Sequence, residues 1–105
     1  MKDIDEKKFQ EEVLDVEGLV LVDFFADWCG PCQMMKPVLE EFADANKDLK
    51  VLGVNIDENE DLAEEYEVST IPCMVLFKKG EEVAREIAVV SPKKLKKMVE
   101  KANGL

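Results

Sequence analysis

The sequence of 105 residues contains no histidine. This absence excludes Ser-His triads, Cys-His pairs and metal sites built on imidazole ligands. Only three cysteines are present, which is too few for a zinc site made of two cysteine pairs, so we expect no metal. Any proton transfer near neutral pH must therefore use a carboxylate, a thiol, a lysine or a tyrosine whose pKa has been shifted.

Long apolar runs are also missing. No stretch approaches the roughly 20 apolar residues of a membrane-spanning helix, and residues 1–6 are acidic and lack the apolar stretch of a secretory signal. Repeats, low-complexity stretches and linkers rich in Pro, Gly or Ser are absent. We therefore expect a soluble, unexported protein without membrane attachment that folds as one domain over residues 1–105.

Positive charge is scarce, because 14 Lys and Arg oppose 24 Asp and Glu and give a net charge of −10 at pH 7. Nucleic-acid binding depends on clustered cations, so we expect no nucleic-acid partner. Five lysines nevertheless concentrate in residues 91–105, where Glu100 is the only acid. This basic tail is either a docking face or, as is usual for surface charge, the solvated side of an amphipathic helix.

Segments typical of strands and helices alternate along the chain. Residues 19–26 form a nearly continuous apolar and β-branched run, which predicts a central strand covered on both faces. Shorter strands are predicted at 2–5, 51–56, 74–78 and 82–89. Helices are predicted at 6–14, at 30–46, from the caps offered by Asp57-Glu58-Asn59 to about Tyr66, and from 92 onward, with Ser91 as N-cap. This order predicts an α/β fold: a mixed four- to five-stranded sheet, made of a βαβ half and a ββα half, with helices on both faces.

Cys29 and Cys32 lie where the central strand gives way to the following helix. A three-residue spacing at a helix N-terminus puts both thiols on one face with about 5–6 Å between Cα atoms, which suits a reversible disulfide. Free N–H groups and the positive end of the helix dipole lower the pKa of the first thiol, so we expect Cys29 to be the nucleophile and Cys32 the resolving thiol. Inert packing is the alternative. The neighbours expected to shape the site are Trp28, as an apolar wall, Gly30, as the point of a close turn, and Pro31, as a stiffener.

Asp23 is a carboxylate inside the otherwise apolar central strand. Burial penalises its charged form, so we expect its pKa to be raised. It lies six residues before Cys29, toward the same end of the strand. It is therefore the candidate acceptor for the proton of Cys32, directly or through water. The alternative is a structural acid that is capped or faces solvent.

Two further features precede the strand predicted at 74–78. A proline before a strand commonly only delimits it. A cis Ile71-Pro72 bond, in contrast, would turn the backbone of Ile71 toward the cysteine pair, where an extended substrate segment can pair with it. Cys73 is either a small buried hydrophobe or a third thiol that forms another bridge, is glutathionylated or alters substrate access.

These segments together resemble the thioredoxin family. The resemblance covers essentially the whole chain and rests on residues 22–32, on Lys36-Pro37, and on segments 54–57, 70–72 and 77–80. It implies a thioredoxin fold, a cis Pro72 and a cytoplasmic protein-disulfide reductase in which Cys29 attacks, Cys32 resolves and Asp23 accepts the proton. It further implies disulfide-containing protein substrates, recycling by a separate flavoenzyme thioredoxin reductase, no bound cofactor and a monomeric state.

Several positions depart from the family pattern. Gly53 stands where many members have a lysine, so a charge that would help to ionise Asp23 is missing. Ala88 replaces a usual glycine beside the substrate groove, and Phe25 replaces a frequent tryptophan. These departures leave open a dedicated reductant of one partner protein, and a binding module without turnover is a further alternative. The residues expected to bind substrate are Trp28, Ile71, Pro72 and Ala88.

Overall fold

A five-stranded sheet organises the computed structural model, which describes residues 1–105. Its strands are β1 (Lys2–Asp3), β2 (Leu19–Phe25), β3 (Lys50–Asn55), β4 (Cys73–Lys78) and β5 (Glu81–Ile87). The spatial order is β1-β3-β2-β4-β5; β1, β3 and β2 run parallel, whereas β4 is antiparallel to both β2 and β5. The predicted mixed sheet, with a parallel half, an antiparallel half and a central β2, is confirmed.

Four helical segments flank the sheet. They are α1 (Glu6–Phe9), α2 (Gly30–Ala45), α3 (Glu60–Glu65) and α4 (Pro92–Asn103). The chain continues from α1 into one π-helical turn, Gln10–Leu14, in which the N–H of Asp15 donates to the carbonyl of Gln10 at 2.8 Å. The prediction of one regular helix over 6–14 was therefore wrong in its second half. There the N–H of residue i bonds to the carbonyl of residue i−5, as in a π-helix, rather than to that of residue i−4, as in an α-helix.

The two faces of the sheet carry separate apolar clusters, as expected for a sheet covered on both sides. Alternate residues of each strand point to opposite faces, so successive residues of β2 enter different clusters. On one face, strand residues pack with Phe9, Val13 and Leu62, which come from α1, the π-helical turn and α3. On the other face, strand residues pack with buried side chains of α2 and α4, namely Met35, Leu39, Phe42, Leu95, Met98 and Ala102.

The hairpin between β4 and β5 has a two-residue loop, Lys79 and Gly80, with positive φ at both positions. Positive φ at both central residues is the type I′ turn that matches the twist of the flanking strands. Glycine is required at position 80, because its φ is +78° and a Cβ there would come within 2.7 Å of the carbonyl oxygen of Leu14. β5 ends at Ile87 rather than at 89 as predicted, since the next residue leaves the extended conformation with a φ of +74°.

The longest helix, α2, continues without interruption through Pro37. Its apolar residues recur at three- and four-residue spacing and pack on the sheet, which holds the helix against the loss of the proline N–H. At the start of α4, Ser91 accepts a bond from the N–H of Lys94, so the predicted cap is present. No helix of the chain combines the length and the apolar character needed to cross a membrane.

Candidate active site

Cys29 and Cys32 form a disulfide at the junction between β2 and α2, with 5.2 Å between their Cα atoms. Cys29 is the N-cap of α2, and its Sγ accepts a hydrogen bond of 3.2 Å from the N–H of Cys32. A sulfur in this position faces the unpaired N–H groups and the positive end of the helix dipole, both of which stabilise an anion. The site can therefore hold a thiolate when the disulfide is reduced.

The geometry of Gly30 differs from the expectation of a close turn. Its φ is outside the left-handed region, and a Cβ built on it would meet no atom within 4 Å. The turn itself does not need glycine, and the small residue leaves open space beside the disulfide. Pro31 occupies the first turn of α2, where its missing N–H costs no helical bond.

Trp28 is the most exposed large side chain next to the disulfide, with 70% of its surface accessible. Its indole Nε1 donates a 2.8 Å hydrogen bond to Oδ2 of Asp57, in the loop after β3. The ring is held by this bond while most of its apolar surface faces solvent. Asp57 was predicted only as part of a helix cap, and a contact between residues 29 positions apart leaves no local signal in the sequence.

The loop before β4 passes close to the disulfide. The Ile71-Pro72 bond is cis, and the carbonyl oxygen of Ile71 lies 3.9 Å from Cys29 Sγ. The N–H of Ala88 donates a 2.8 Å bond to the carbonyl of Pro72, which joins the end of β5 to this loop. Ile87 and Val89 on either side of Ala88 are 49% and 45% exposed, so an apolar surface borders the loop.

Asp23 is 2% exposed, and its Oδ1 has no hydrogen-bond partner. Burial is the main cause that raises the pKa of Asp23 to about 7, the negative charge of Asp3 raises it further, and Lys36 opposes both. Asp23 lines a cavity of about 140 Å³ together with Cys32 and Lys36. An acid with a pKa near 7 can both accept and return a proton at physiological pH.

Asp3 was not identified from the sequence as part of the site. It lines the same cavity as Asp23 and Cys32. Gly53 lies between Asp3 and Asp23 in the sheet, since it is the Cα partner of both. The short, exposed strand β1 gives no pattern that would place Asp3 near Asp23, which lies 20 residues away along the chain.

Cys73 is 1% exposed and belongs to the apolar cluster on the α1 and α3 face, where it packs among residues such as Phe24 and Val75. Burial raises the pKa of its thiol. The disulfide belongs to a different cluster, with Ala26. Of the two possibilities left open by the sequence, this environment is that of a small buried hydrophobe.

No group of three or more His, Cys, Asp or Glu side chains is arranged to hold a metal ion. A disulfide at a strand-to-helix junction of a mixed sheet, with a cis proline beside it and a buried acid behind it, defines a site for thiol–disulfide exchange. The chain thus has the architecture of a dithiol/disulfide oxidoreductase.

Comparison with known proteins identifies the family. The model of the Thioredoxin family matches residues 1–101. Thioredoxin of Chlamydia pneumoniae is 50% identical over 84 residues, which cover 80% of this chain and 82% of that protein. Thioredoxin of Chlamydia trachomatis is 42% identical over 98 residues (93% and 94%), and thioredoxin of Pseudomonas aeruginosa is 44% identical over 93 residues (88% and 86%).

The chain therefore belongs to the thioredoxin family, and the predicted thioredoxin fold is confirmed. It is a dithiol/disulfide oxidoreductase of the thioredoxin type, with protein-disulfide reductase activity.

Proposed function

We propose that Cys29 is the attacking thiolate and Cys32 the resolving thiol. The Cys29 sulfur attacks one sulfur of a substrate disulfide, an S–S bond forms between them, and the other substrate sulfur leaves as a thiolate. Cys32 then gives its proton to Asp23 and attacks Cys29 Sγ. This step breaks the mixed disulfide, releases the second substrate thiolate and forms the Cys29–Cys32 bond. The substrate gains two electrons and the dithiol loses two.

One observation carries this assignment of roles: the two cysteines have different surroundings. Cys29 caps α2 and has the carbonyl of Ile71 beside it. Cys32 instead lines the cavity that contains Asp23, whereas Cys29 does not line it. The thiol that needs a base in the second step is therefore the one next to the buried acid. A structural role for Asp23 is disfavoured because its unpaired Oδ1 destabilises the fold without a partner to offset it.

Substrate is proposed to bind across Trp28, Ile71, Pro72 and Ala88. The backbone of Ile71 takes part in no backbone–backbone hydrogen bond, so its N–H and C=O are free to pair with an extended substrate segment. The bond from Ala88 to Pro72 holds the two sides of this surface together. The exposed face of Trp28 supplies apolar contact area.

The family membership supports further proposals about the cellular setting. Substrates are disulfide-containing proteins, and the oxidised form is recycled by a separate reductase, which we propose to be a flavoenzyme. We also propose that the protein is an electron carrier of the cytoplasm, acts as a monomer of one domain over residues 1–105, and has no cofactor other than its redox-active disulfide.

The assignment is tested by following dithiothreitol-coupled reduction of a protein disulfide with the wild type, Cys29→Ser and Cys32→Ser. We expect the rate of disulfide reduction with Cys29→Ser to fall to the background rate, because the attacking sulfur is gone. Unchanged activity of this variant would refute the enzymatic role and favour a binding module. Cys73→Ser is the matched control, since it removes a thiol outside the site, and it should keep wild-type activity.

Trapping tests the order of the two thiols. In cell extract, Cys32→Ser is expected to accumulate mixed disulfides on Cys29 that are stable without reductant, whereas Cys29→Ser is not. Equal adducts with both variants would contradict the assigned roles. The range of trapped proteins also separates a general reductase from one dedicated to a single partner, the alternative suggested by Ala88 beside the groove.

A further inference from the structure

Three residues on three neighbouring strands form a row across the sheet. Asp3 of β1 and Asp23 of β2 are both Cα partners of Gly53 in β3. Residues paired in this way present their side chains to the same face of the sheet. Two strand spacings separate the two carboxyl residues, which corresponds to about 9.5 Å between their Cα atoms. Gly53, which lies between them, has no side chain.

Asp3 occupies the space that Gly53 leaves empty. A Cβ built on Gly53 would collide with Oδ1 of Asp3 and lie 3.1 Å from the ring of Phe25. The Asp3 carboxylate therefore leans over Gly53 rather than away from the row. It lines the same cavity of about 140 Å³ as Asp23, whose Oδ1 is unpaired. No side chain of β3 separates the two carboxyl groups, so they face each other across this cavity.

The other groups around Asp23 contribute charge of both signs. On β4 its partner is Met74, and on β3 it is Gly53, both uncharged. The residues that line the cavity and carry titratable or charged groups are Met1 and Asp3 from the amino-terminal region, Asp27 after β2, and Cys32 and Lys36 from α2. The Cys73 thiol of β4 interacts with Asp23 from outside the cavity. The charge of Asp3 raises the pKa of Asp23, whereas the charge of Lys36 lowers it.

We propose that Asp3 is a positioning residue for the reductase reaction: its carboxylate, held over Gly53, faces Asp23 across the cavity and favours the protonated form of that acid. The inference rests on the proposed role of Asp23 as proton acceptor for Cys32. Asp3 touches neither substrate nor the reacting sulfurs. It sets the pH at which Asp23 exchanges its proton, and so the pH range in which Cys32 is activated.

The size of the effect follows from the separation of the two charges. If the charges are as far apart as the Cα atoms, about 9.5 Å, they interact enough to move a titration by about 0.3 pH unit in a water-like dielectric and about 1.3 pH units at an effective dielectric constant of 20. Asp3 is exposed, which favours the lower half of this range. We therefore expect Asp3→Asn, which keeps the shape of the side chain and removes its charge, to lower the titration midpoint of Asp23.

The experiment follows the ¹³C chemical shift of the Asp23 carboxyl group against pH in the oxidised full-length protein, assigned by comparison with Asp23→Asn. In this form the disulfide removes the titrations of Cys29 and Cys32, so the carboxyl group is observed alone. Asp48→Asn is the matched control. It removes the same charge near Gly18, at the opposite end of β2, and should move the midpoint by less than about 0.1 pH unit because of screening.

Salt separates a charge effect from a change in shape. The difference between wild type and Asp3→Asn is expected to shrink between low salt and 1 M salt, where the screening length falls to about 3 Å. Equal midpoints for wild type and Asp3→Asn, the same decrease in Asp48→Asn, or a decrease that does not respond to salt would each overturn the proposal.

Kinetics distinguish failure of this inference from failure of the proposed function. In single-turnover experiments, the rate at which Cys32 resolves the mixed disulfide is measured against pH. This pH profile should move in Asp3→Asn by the same amount as the carboxyl titration. If the titration moves and the kinetic profile does not, Asp3 and Asp23 are coupled but Asp23 is not the proton acceptor. This result would refute both the proposed role of Asp23 and the role of Asp3 in the reaction. If Asp23→Asn slows resolution while Asp3→Asn moves neither readout, only the role of Asp3 is refuted.

Discussion

Replacing Asp23 with asparagine is expected to remove one contribution to the pH dependence of stability, so that between pH 4 and 7 the stability of the oxidised variant falls less steeply with rising pH than that of the wild type. The reason is the raised pKa of this buried acid, which is about 7 in the folded protein against an ordinary value of 3.8. Below pH 3.8 the acid is protonated whether the chain is folded or unfolded, and it carries no ionisation penalty. As the pH rises toward 7, the unfolded chain ionises freely while the folded protein must keep the proton.

The magnitude follows from the separation of the two pKa values. Each pKa unit corresponds to about 1.4 kcal/mol, so the full penalty on the folded state is about 4 kcal/mol once the pH exceeds the folded pKa. Between pH 4 and 7 the wild type should lose about 1.4 kcal/mol of unfolding free energy per pH unit relative to the variant. The buried amide of asparagine adds a cost that does not depend on pH, so the prediction concerns the slope and not the absolute difference.

The assay is equilibrium unfolding of both oxidised proteins in denaturant at a series of pH values from 4 to 9. The difference between wild type and Asp23→Asn isolates this group, because the exposed carboxylates change with pH equally in both proteins. Asp48→Asn serves as the control for loss of one charge. Parallel stability curves for wild type and Asp23→Asn would refute the reasoning, since they would mean that Asp23 has nearly the same pKa in the folded and unfolded states.

Three further predictions use other parts of the fold. Ala88→Gly should raise the unfolding free energy by about 0.5–1 kcal/mol, because glycine adopts the observed φ of +74° without strain; an unchanged or lower value in denaturant unfolding would contradict this. Gly80→Ala should destabilise the protein by at least about 1 kcal/mol, since it combines a positive φ with a collision at the carbonyl of Leu14; a thermal midpoint equal to that of the wild type would argue against it. In the reduced native protein, a thiol reagent should react readily with Cys29, whose thiolate is favoured at the N-terminus of α2, and with Cys73 only after unfolding, because Cys73 lies inside the apolar cluster and burial raises its pKa; equal rates for Cys29 and Cys73 would contradict this difference.

Much of the architecture could be predicted because its signals are local. The continuous apolar run at 19–26 identifies the central strand, and Ser91 followed by Pro92 marks the start of α4. The position of the cysteine pair also follows from local order, since a strand directly followed by an amphipathic helix places the pair at the helix N-terminus. These patterns depend on residues a few positions apart, where propensity and periodicity are informative.

The features that could not be predicted depend on long-range pairing. Asn59, one of three residues predicted to offer a cap for α3, makes no side-chain cap bond. Its Oδ1 accepts a bond from the N–H of Glu6, and its Nδ2 donates to the carbonyl of Asn55. The contact between positions 6 and 59 arises only when β1 pairs with β3. The same pairing sets the register that places Asp3 against Gly53. A two-residue strand has too little pattern to reveal its register from sequence.

A buried acid with a penalty of about 4 kcal/mol is a large burden for a domain of this size, because the net stability of native proteins is about 5–15 kcal/mol. Tight apolar clusters on both faces of the sheet offset it, and the penalty falls on a buried carboxylate that shares a cavity with Cys32. In a chain without histidine, a carboxyl group needs such burial to exchange protons near neutral pH. The cost in stability and the usefulness of Asp23 as an acid or base therefore have the same physical cause. A variant that lowers the pKa of Asp23 should gain stability at alkaline pH as its proton exchange moves to lower pH.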